Sequence, residues 1–172
     1  MSRRTLYQGR FLDLGMERAT LPDGQEVELE IIRHPGAAAV VPLHEDGTVT
    51  LIRQYRHAGG GMILEIPAGK LDDDEEPTTC AARELMEEAG LAAGRLEPLG
   101  SVLTTPAFTD ECIHLYLARA LSPAPQALEA GEYIELVRVS LDEALAMADD
   151  GRIRDGKTIC ALFRAERHLA RS

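Results

Sequence analysis

One stretch, Gly69 to Leu91 (GKLDDDEEPTTCAARELMEEAGL), limits what this chain can become. It reads as an acidic loop running into a short helix. Pro77 suits the first helical turn, where a missing N–H costs nothing. Gly90 suits the left-handed position just past the end. Between them Glu84, Glu87 and Glu88 stand at i, i+3 and i+4 and share one face. Like charges at that spacing destabilise an isolated helix by roughly a few tenths of a kcal/mol per pair. Arg83 offers one compensating positive charge. A hard divalent cation with oxygen ligands would do far more. An acidic helix face taken alone is ordinarily solvated surface, so the pattern of the whole stretch has to decide.

That pattern is G-x5-E-x7-R-E-U-x-E-E-x-G-U, with U aliphatic. It is met at Gly69, Glu75, Arg83, Glu84, Leu85, Glu87, Glu88, Gly90 and Leu91. On these positions the chain resembles the Nudix hydrolases, whose signature this is. The resemblance implies a mixed-sheet α/β/α sandwich and hydrolysis of a nucleoside diphosphate linked to another moiety. It implies Mg²⁺ as cofactor, with Mn²⁺ as a substitute, held by Glu84, Glu87, Glu88 and the carbonyl of Ala68. Glu75 and Arg83 would orient those ligands, and Gly69 lets the backbone approach closely.

The remaining chain, 172 residues in all, fits one globular unit large enough to bury a core. With no Trp and 4% aromatic residues, that core is aliphatic. A net charge of −11 argues against nucleic acid as a partner. An acidic protein that handles an anionic substrate needs local positive charge from metals or from placed arginines. Cys80, Cys112 and Cys160 show no metal spacing and read as reduced, buried thiols. No apolar run suggests a signal sequence or a membrane span, so the expectation is a soluble, cytoplasmic protein.

Two N-terminal strands, Phe11–Leu21 and Gln25–His34, are expected to flank the hairpin turn Pro22-Asp23-Gly24. Val27, Leu29 and Ile31 alternate with Glu26, Glu28 and Glu30, so one face needs covering. Residues 1–36 therefore read as a unit packed on its own domain or across a dimer interface, and residues 37–172 as the main domain. Ala37–Leu43 is a run of small apolar residues, as for a strand buried on both faces. Strands are expected at Thr48–Tyr55, Met62–Ile66, Leu99–Thr105, Cys112–Arg119 and Glu132–Val139. The Pro/Ala-rich segment Ser122–Gly131 reads as a mobile loop. Ser140 with Glu143 forms a capping box before a helix, and Thr158–Ala170 forms the last helix, with Ile159, Leu162, Phe163 and Leu169 facing the core.

Outside the signature, T-P-A-F-T-D-E at Thr105–Glu111, Arg53-Gln54-x-Arg56 and E-I-P-A-G at Glu65–Gly69 resemble the ADP-ribose pyrophosphatase branch. Ala107 departs from the glycine common there. This resemblance gives Arg56 a substrate phosphate, in a bidentate geometry that Lys cannot copy, and places Arg53, Pro106, Phe108 and Glu111 around the substrate. The general base is Glu132, with Glu129 or a glutamate of the helix as alternatives. The branch is usually dimeric, with N-terminal strands completing the partner's adenine pocket, so Glu30 and Glu28 become contributors from the other subunit. The resulting expectation is a homodimer converting ADP-ribose to AMP and ribose 5-phosphate. The alternatives are a Nudix pyrophosphatase for GDP-mannose, UDP-glucose or NADH, and a non-catalytic nucleotide-binding regulator on the same fold.

Overall fold

The structure is a computed structural model, and it describes residues 3–10, 12–128 and 131–171. Ten strands and three helices follow in the order β1 (Arg3–Gln8), β2 (Asp13–Thr20), β3 (Glu26–Arg33), β4 (Ala37–Pro42), β5 (Thr48–Arg56), β6 (Gly61–Glu65), β7 (Ala68–Lys70), α1 (Pro77–Ala89), β8 (Leu91–Leu103), β9 (Cys112–Pro123), β10 (Ile134–Ser140), α2 (Leu141–Asp149) and α3 (Gly156–Leu169).

The central sheet runs β7-β4-β9-β8 and is mixed, because β4 and β9 are parallel while the other pairs are antiparallel. Every residue of β4 is buried. Its side chains alternate between two cores, as the period of a strand dictates. Ala38 and Val40, with Tyr116 and Ala118 of β9, meet Cys80, Ala81, Leu85 and Ala89 of α1. Ala37, Ala39 and Val41, with Leu115 and Leu117, meet Ala161, Leu162 and Ala165 of α3 on the other face. A fully buried leucine such as Leu85 contributes about 1.5–3 kcal/mol. The small residues of β4 let both helices approach the sheet closely. A second, antiparallel sheet runs β10-β5-β6, and Val49 and Leu51 of β5 join the α3-side core.

The N-terminal residues form a three-stranded antiparallel sheet, β1-β2-β3, rather than a two-stranded hairpin. β1 escapes the sequence pattern because none of its six residues is buried and no periodicity marks it. The expected turn is present, with Gly24 N–H donating to Leu21 O at 2.9 Å. Phe11 lies outside the described residues. This sheet is fastened to the main domain through β3. Ile32 N–H donates to Phe108 O at 2.8 Å, and Arg33 pairs with Asp110 at 2.8 Å.

Other differences have local causes. β8 runs Leu91–Leu103, starting well before the expected Leu99, through Gly94 and Pro98. Gly100 has φ +91° at a register shift in the β8–β9 pairing, so a bulge absorbs it. β7 is only three residues long and overlaps the start of the stretch expected as an acidic loop. β10 starts at Ile134, leaving Glu132 in the preceding segment. Ser140 Oγ caps α2 by accepting from Glu143 N–H at 3.0 Å, but the Glu143 carboxylate turns to Arg152 instead of closing the box. Phe163 is exposed rather than in the core stripe, whereas Leu162 is fully buried. Of the cysteines only Cys80 is buried, Cys160 is exposed, and all three are free thiols.

Candidate active site: a carboxylate helix beside a cationic floor

Helix α1 forms where the punctuation placed it. Pro77 opens it, and Gly90 closes it at φ +63°, its N–H donating to the helix's last turn. Its buried stripe holds Cys80, Ala81, Leu85 and Ala89 and, at the edge, Glu84 and Glu88. Packing on β4 therefore carries two carboxylates to the margin of the core, where a cleft of about 760 Å³ opens. Glu84, Glu87 and Glu88 line it together with Ala68, Gly69, Arg56, Glu111 and Glu132.

The β7 strand pairs with β4 and lies against this helix edge. Ala68 N–H donates to Glu88 Oε2 at 2.8 Å. A Cβ built on Gly69 would fall 1.8 Å from Glu84 Oε1, so only glycine leaves that carboxylate its place. Arg83 ties the rest. Its Nε and Nη2 clasp Glu75 at 3.0 and 2.9 Å, Nη2 also reaches Lys70 O at 3.1 Å, and Nη1 donates to Glu84 at 2.6 Å and Glu87 at 3.1 Å. Those hydrogen bonds hold the Glu75 carboxyl down at about 2. Burial pushes Glu84 up despite Arg83. Glu88 is pushed up to about 8, first by burial and then by the charges of Glu84 and Glu132, against the Ala68 N–H.

Among the described residues, no His, Cys, Asp and Glu side chains are already gathered as a closed metal cage. Arg83 holds Glu84 and Glu87 instead. The donor set still fits a hard divalent cation. It offers oxygen ligands alone, Glu84 and Glu88 are carboxylates held at the buried edge of the helix, and Gly69 makes the space Glu84 needs. We expect Arg83→Lys to weaken divalent-metal affinity about 10–100-fold, since a single ammonium cannot clasp Glu75 and also reach Glu84 and Glu87. Metal titration of the folded variant checks this, and an unchanged affinity would remove Arg83 from the ligand framework.

The same cleft has a cationic floor, of which the sequence offered only Arg56. Glu65, 1% exposed, accepts from Arg56 Nε and Nη2 at 2.8 and 3.0 Å and from Lys157 Nζ. Burial alone would raise the Glu65 pKa, but Arg56 and Lys157 more than offset it and the pKa is lowered. Lys157 also reaches Asp155 at 3.0 Å. A buried ion costs several kcal/mol unless it is paired and hydrogen-bonded. The available signal is a single glutamate, Glu65, inside the apolar run Met62–Ile66.

The loop residues divide. Glu111 lines the cleft and accepts from Thr104 Oγ1 at 2.7 Å. Glu132 lines it within electrostatic reach of Glu84 and Glu88. Glu129 lies outside the described residues. Pro106 borders a second cavity of about 350 Å³ between the N-terminal sheet and the 103–110 segment, with Leu29, Ile31 and Leu103. Phe108 is half exposed and lines neither cavity. Arg53 faces away from Arg56 and pairs with Glu135 at 3.5 Å. Glu30 is exposed on β3 opposite Met16. The cleft of one chain thus gathers the signature residues, Arg56, Glu111 and Glu132, and leaves out Arg53, Glu30, Pro106 and Phe108.

The segment after β9 is less free than its composition suggested. β9 continues to Pro123, and the chain is then strapped to the end of α1. Ala124 N–H donates to Gly90 O at 2.8 Å, Gln126 Nε2 to Glu88 O at 2.7 Å and Ala127 N–H to Glu87 O at 3.0 Å.

Comparison with known proteins agrees with this geometry. The chain is 42% identical over 159 residues to the methanol dehydrogenase activator of Bacillus methanolicus, covering 91% of this chain and 86% of that one. It is 36% identical over 164 residues to the ADP-ribose pyrophosphatase of Bacillus subtilis (strain 168), covering 94% and 89%. A crystal structure of an ADP compounds hydrolase superposes with a TM-score of 0.84 at 23% identity, over 99% of this chain and 92% of that one, which shows a shared fold. The NUDIX domain model matches residues 33–162, the span that holds the carboxylate helix, the glycine beside it and the cationic floor, and the chain belongs to the Nudix hydrolase family.

Proposed function

We propose that the protein hydrolyses the diphosphate bond of ADP-ribose to AMP and ribose 5-phosphate, using Mg²⁺ or, in its place, Mn²⁺. The observation that carries this reading is that three helix carboxylates and an anchored arginine line one cleft. The likeness to a pyrophosphatase of ADP-ribose over 94% of the chain supports the choice of substrate. Glu84, Glu87, Glu88 and Ala68 would hold the metal, which when bound supplies charge neutralisation and Lewis acidity at the diphosphate. Arg56 spends Nε and Nη2 on Glu65, leaving Nη1 for a phosphate oxygen. Water adds to one phosphorus, the bridging P–O bond breaks toward the other phosphate, and the water proton passes to a carboxylate. Glu132 suits that role because it stands at the cleft close to Glu84 and Glu88.

The second cavity and the exposed Leu6, Tyr7, Leu12, Leu21 and Leu29 support a homodimer in which residues 1–36 meet the partner. Glu30 and Pro106 would then act at that junction.

A 42%-identical relative named as an activator favours a second reading, a regulator that binds nucleotide without turning it over. One assay separates them. Products are resolved chromatographically from ADP-ribose, GDP-mannose, UDP-glucose, NADH and a nucleoside triphosphate, with Mg²⁺ and with chelator. Metal-dependent formation of AMP from ADP-ribose, ahead of the other compounds, is expected. Preference for a nucleotide sugar overturns the substrate; binding without any hydrolysis overturns the enzyme.

A further inference from the structure

The chain places arginine at sixteen of its eighteen basic positions; its two lysines are Lys70 and Lys157. Both line the cleft. Lys157 sits in the first turn of α3, where the helix dipole disfavours a cation. Its side chain is only 13% exposed, which penalises an ammonium further. Two unfavourable placements are held in check by Glu65 and Asp155; Asp155 is also the N-cap of α3, accepting from Thr158 N–H at 3.0 Å, whereas Glu65 is bonded by Arg56 and Lys157 alone among the described hydrogen bonds. The α1 side of the same cleft is acidic, with Glu84, Glu87 and Glu88, and Glu111 and Glu132 line the cleft too. A diphosphate entering here meets repulsion on that side and needs positive charge on the floor.

We propose that Lys157 is a second diphosphate-binding cation, sharing Glu65 with Arg56 and contacting the ligand directly. The inference rests on reading the cleft as a diphosphate site. Three N–H donors serve Lys157, and Glu65 and Asp155 take two. The third is available to a phosphate oxygen. A compact ammonium on a flexible stem, with three rotatable donors, can serve Glu65, Asp155 and a phosphate oxygen at once. Glu65 sets the spacing of the two cations, with Arg56 on both of its oxygens and Lys157 on Oε2.

Two measurements test it, both with ADP as the probe. Wild-type protein is acetylated with an amine reagent, and the two lysines are read by mass spectrometry with and without ADP in Mg²⁺ buffer. ADP is expected to protect Lys157, and adenosine is expected not to. In parallel, Lys157→Met is expected to raise the inhibition constant of ADP by about ten-fold or more, the loss of one charge-assisted hydrogen bond, while the wild-type fold persists in a thermal melt. ADP that competes with substrate in the wild type yet neither protects Lys157 nor loses affinity in the variant would overturn the inference alone. Failure of ADP to bind the wild type would overturn the diphosphate reading and the inference with it. Should Lys157→Met not fold, the labelling of the wild type decides.

Discussion

Gly69→Ala should fold and lose nearly all activity. The added Cβ would stand 1.8 Å from Glu84 Oε1, 2.2 Å from Cδ and 2.7 Å from Oε2. Contacts so short are never tolerated, and the atoms that must yield belong to the end of a flexible side chain. The backbone carries no demand for a left-handed residue there, so alanine can take the main-chain conformation. Glu84 is therefore displaced while β7 keeps its place beside β4. A shift of about 1 Å in a catalytic group costs on the order of 10²-fold in rate. The measurement is kcat and divalent-metal affinity beside a thermal melt. A variant with near-normal turnover would show that Glu84 need not stand where this structure puts it. A variant that fails to fold would show that the strand, rather than the carboxylate, gives way.

The second large effect concerns Glu88. Partners that merely orient a metal ligand are worth about 10–100-fold when removed, so Glu88→Gln, which removes one of the proposed ligands, should reduce turnover by more than about 100-fold. Its stability should change in the opposite sense. Glu88 has its folded pKa raised from an ordinary 4.5 to about 8. Between those values the folded state keeps a proton that the unfolded state has released. In chelator, stability of the wild type should therefore fall as pH rises from 4.5 toward 8 and level off above it. Glutamine lacks that proton and still presents an oxygen to Ala68 N–H. The variant should accordingly gain on the wild type as pH rises, by a few kcal/mol in order of magnitude at the plateau. Urea unfolding at pH 5, 7 and 9 reads this directly. A difference independent of pH would mean that Glu88 is ionised in the folded protein throughout.

Much of this site was legible because its residues are local. Pro77, Gly90 and the i, i+3, i+4 glutamates lie within one helix, where spacing alone places side chains on a face. The role of Gly69 was legible as close approach, though the group approached turned out to be Glu84. The cationic floor was not legible. Glu65 and Lys157 are far apart in the chain, and only the antiparallel β5–β6 pair and the docking of α3 bring them together with Arg56. Arg53 and Arg56 share one four-residue motif, whereas three residues along a strand put the two on opposite faces, and Arg56 is the one that lines the cleft. In the fold, β4 announced itself by continuous small apolar residues, and the start of β8 was hidden by Gly94 and Pro98, which a bulged edge strand tolerates. β1 left no trace because a fully exposed strand buries nothing that a pattern could report.

The strap from Ala124 to Ala127 has a consequence for how members of such a family diversify. The peptide groups it grips are the carbonyls of Glu87, Glu88 and Gly90, the same residues whose side chains or turn define the acidic wall. Any exchange of this segment for a longer or shorter one also pulls on the last turn of α1. Chimeras that graft a foreign loop here to change substrate preference would inherit a retuned acidic wall, and with it the proposed metal site, and only grafts that preserve the bonds of Ala124, Gln126 and Ala127 would alter one property at a time.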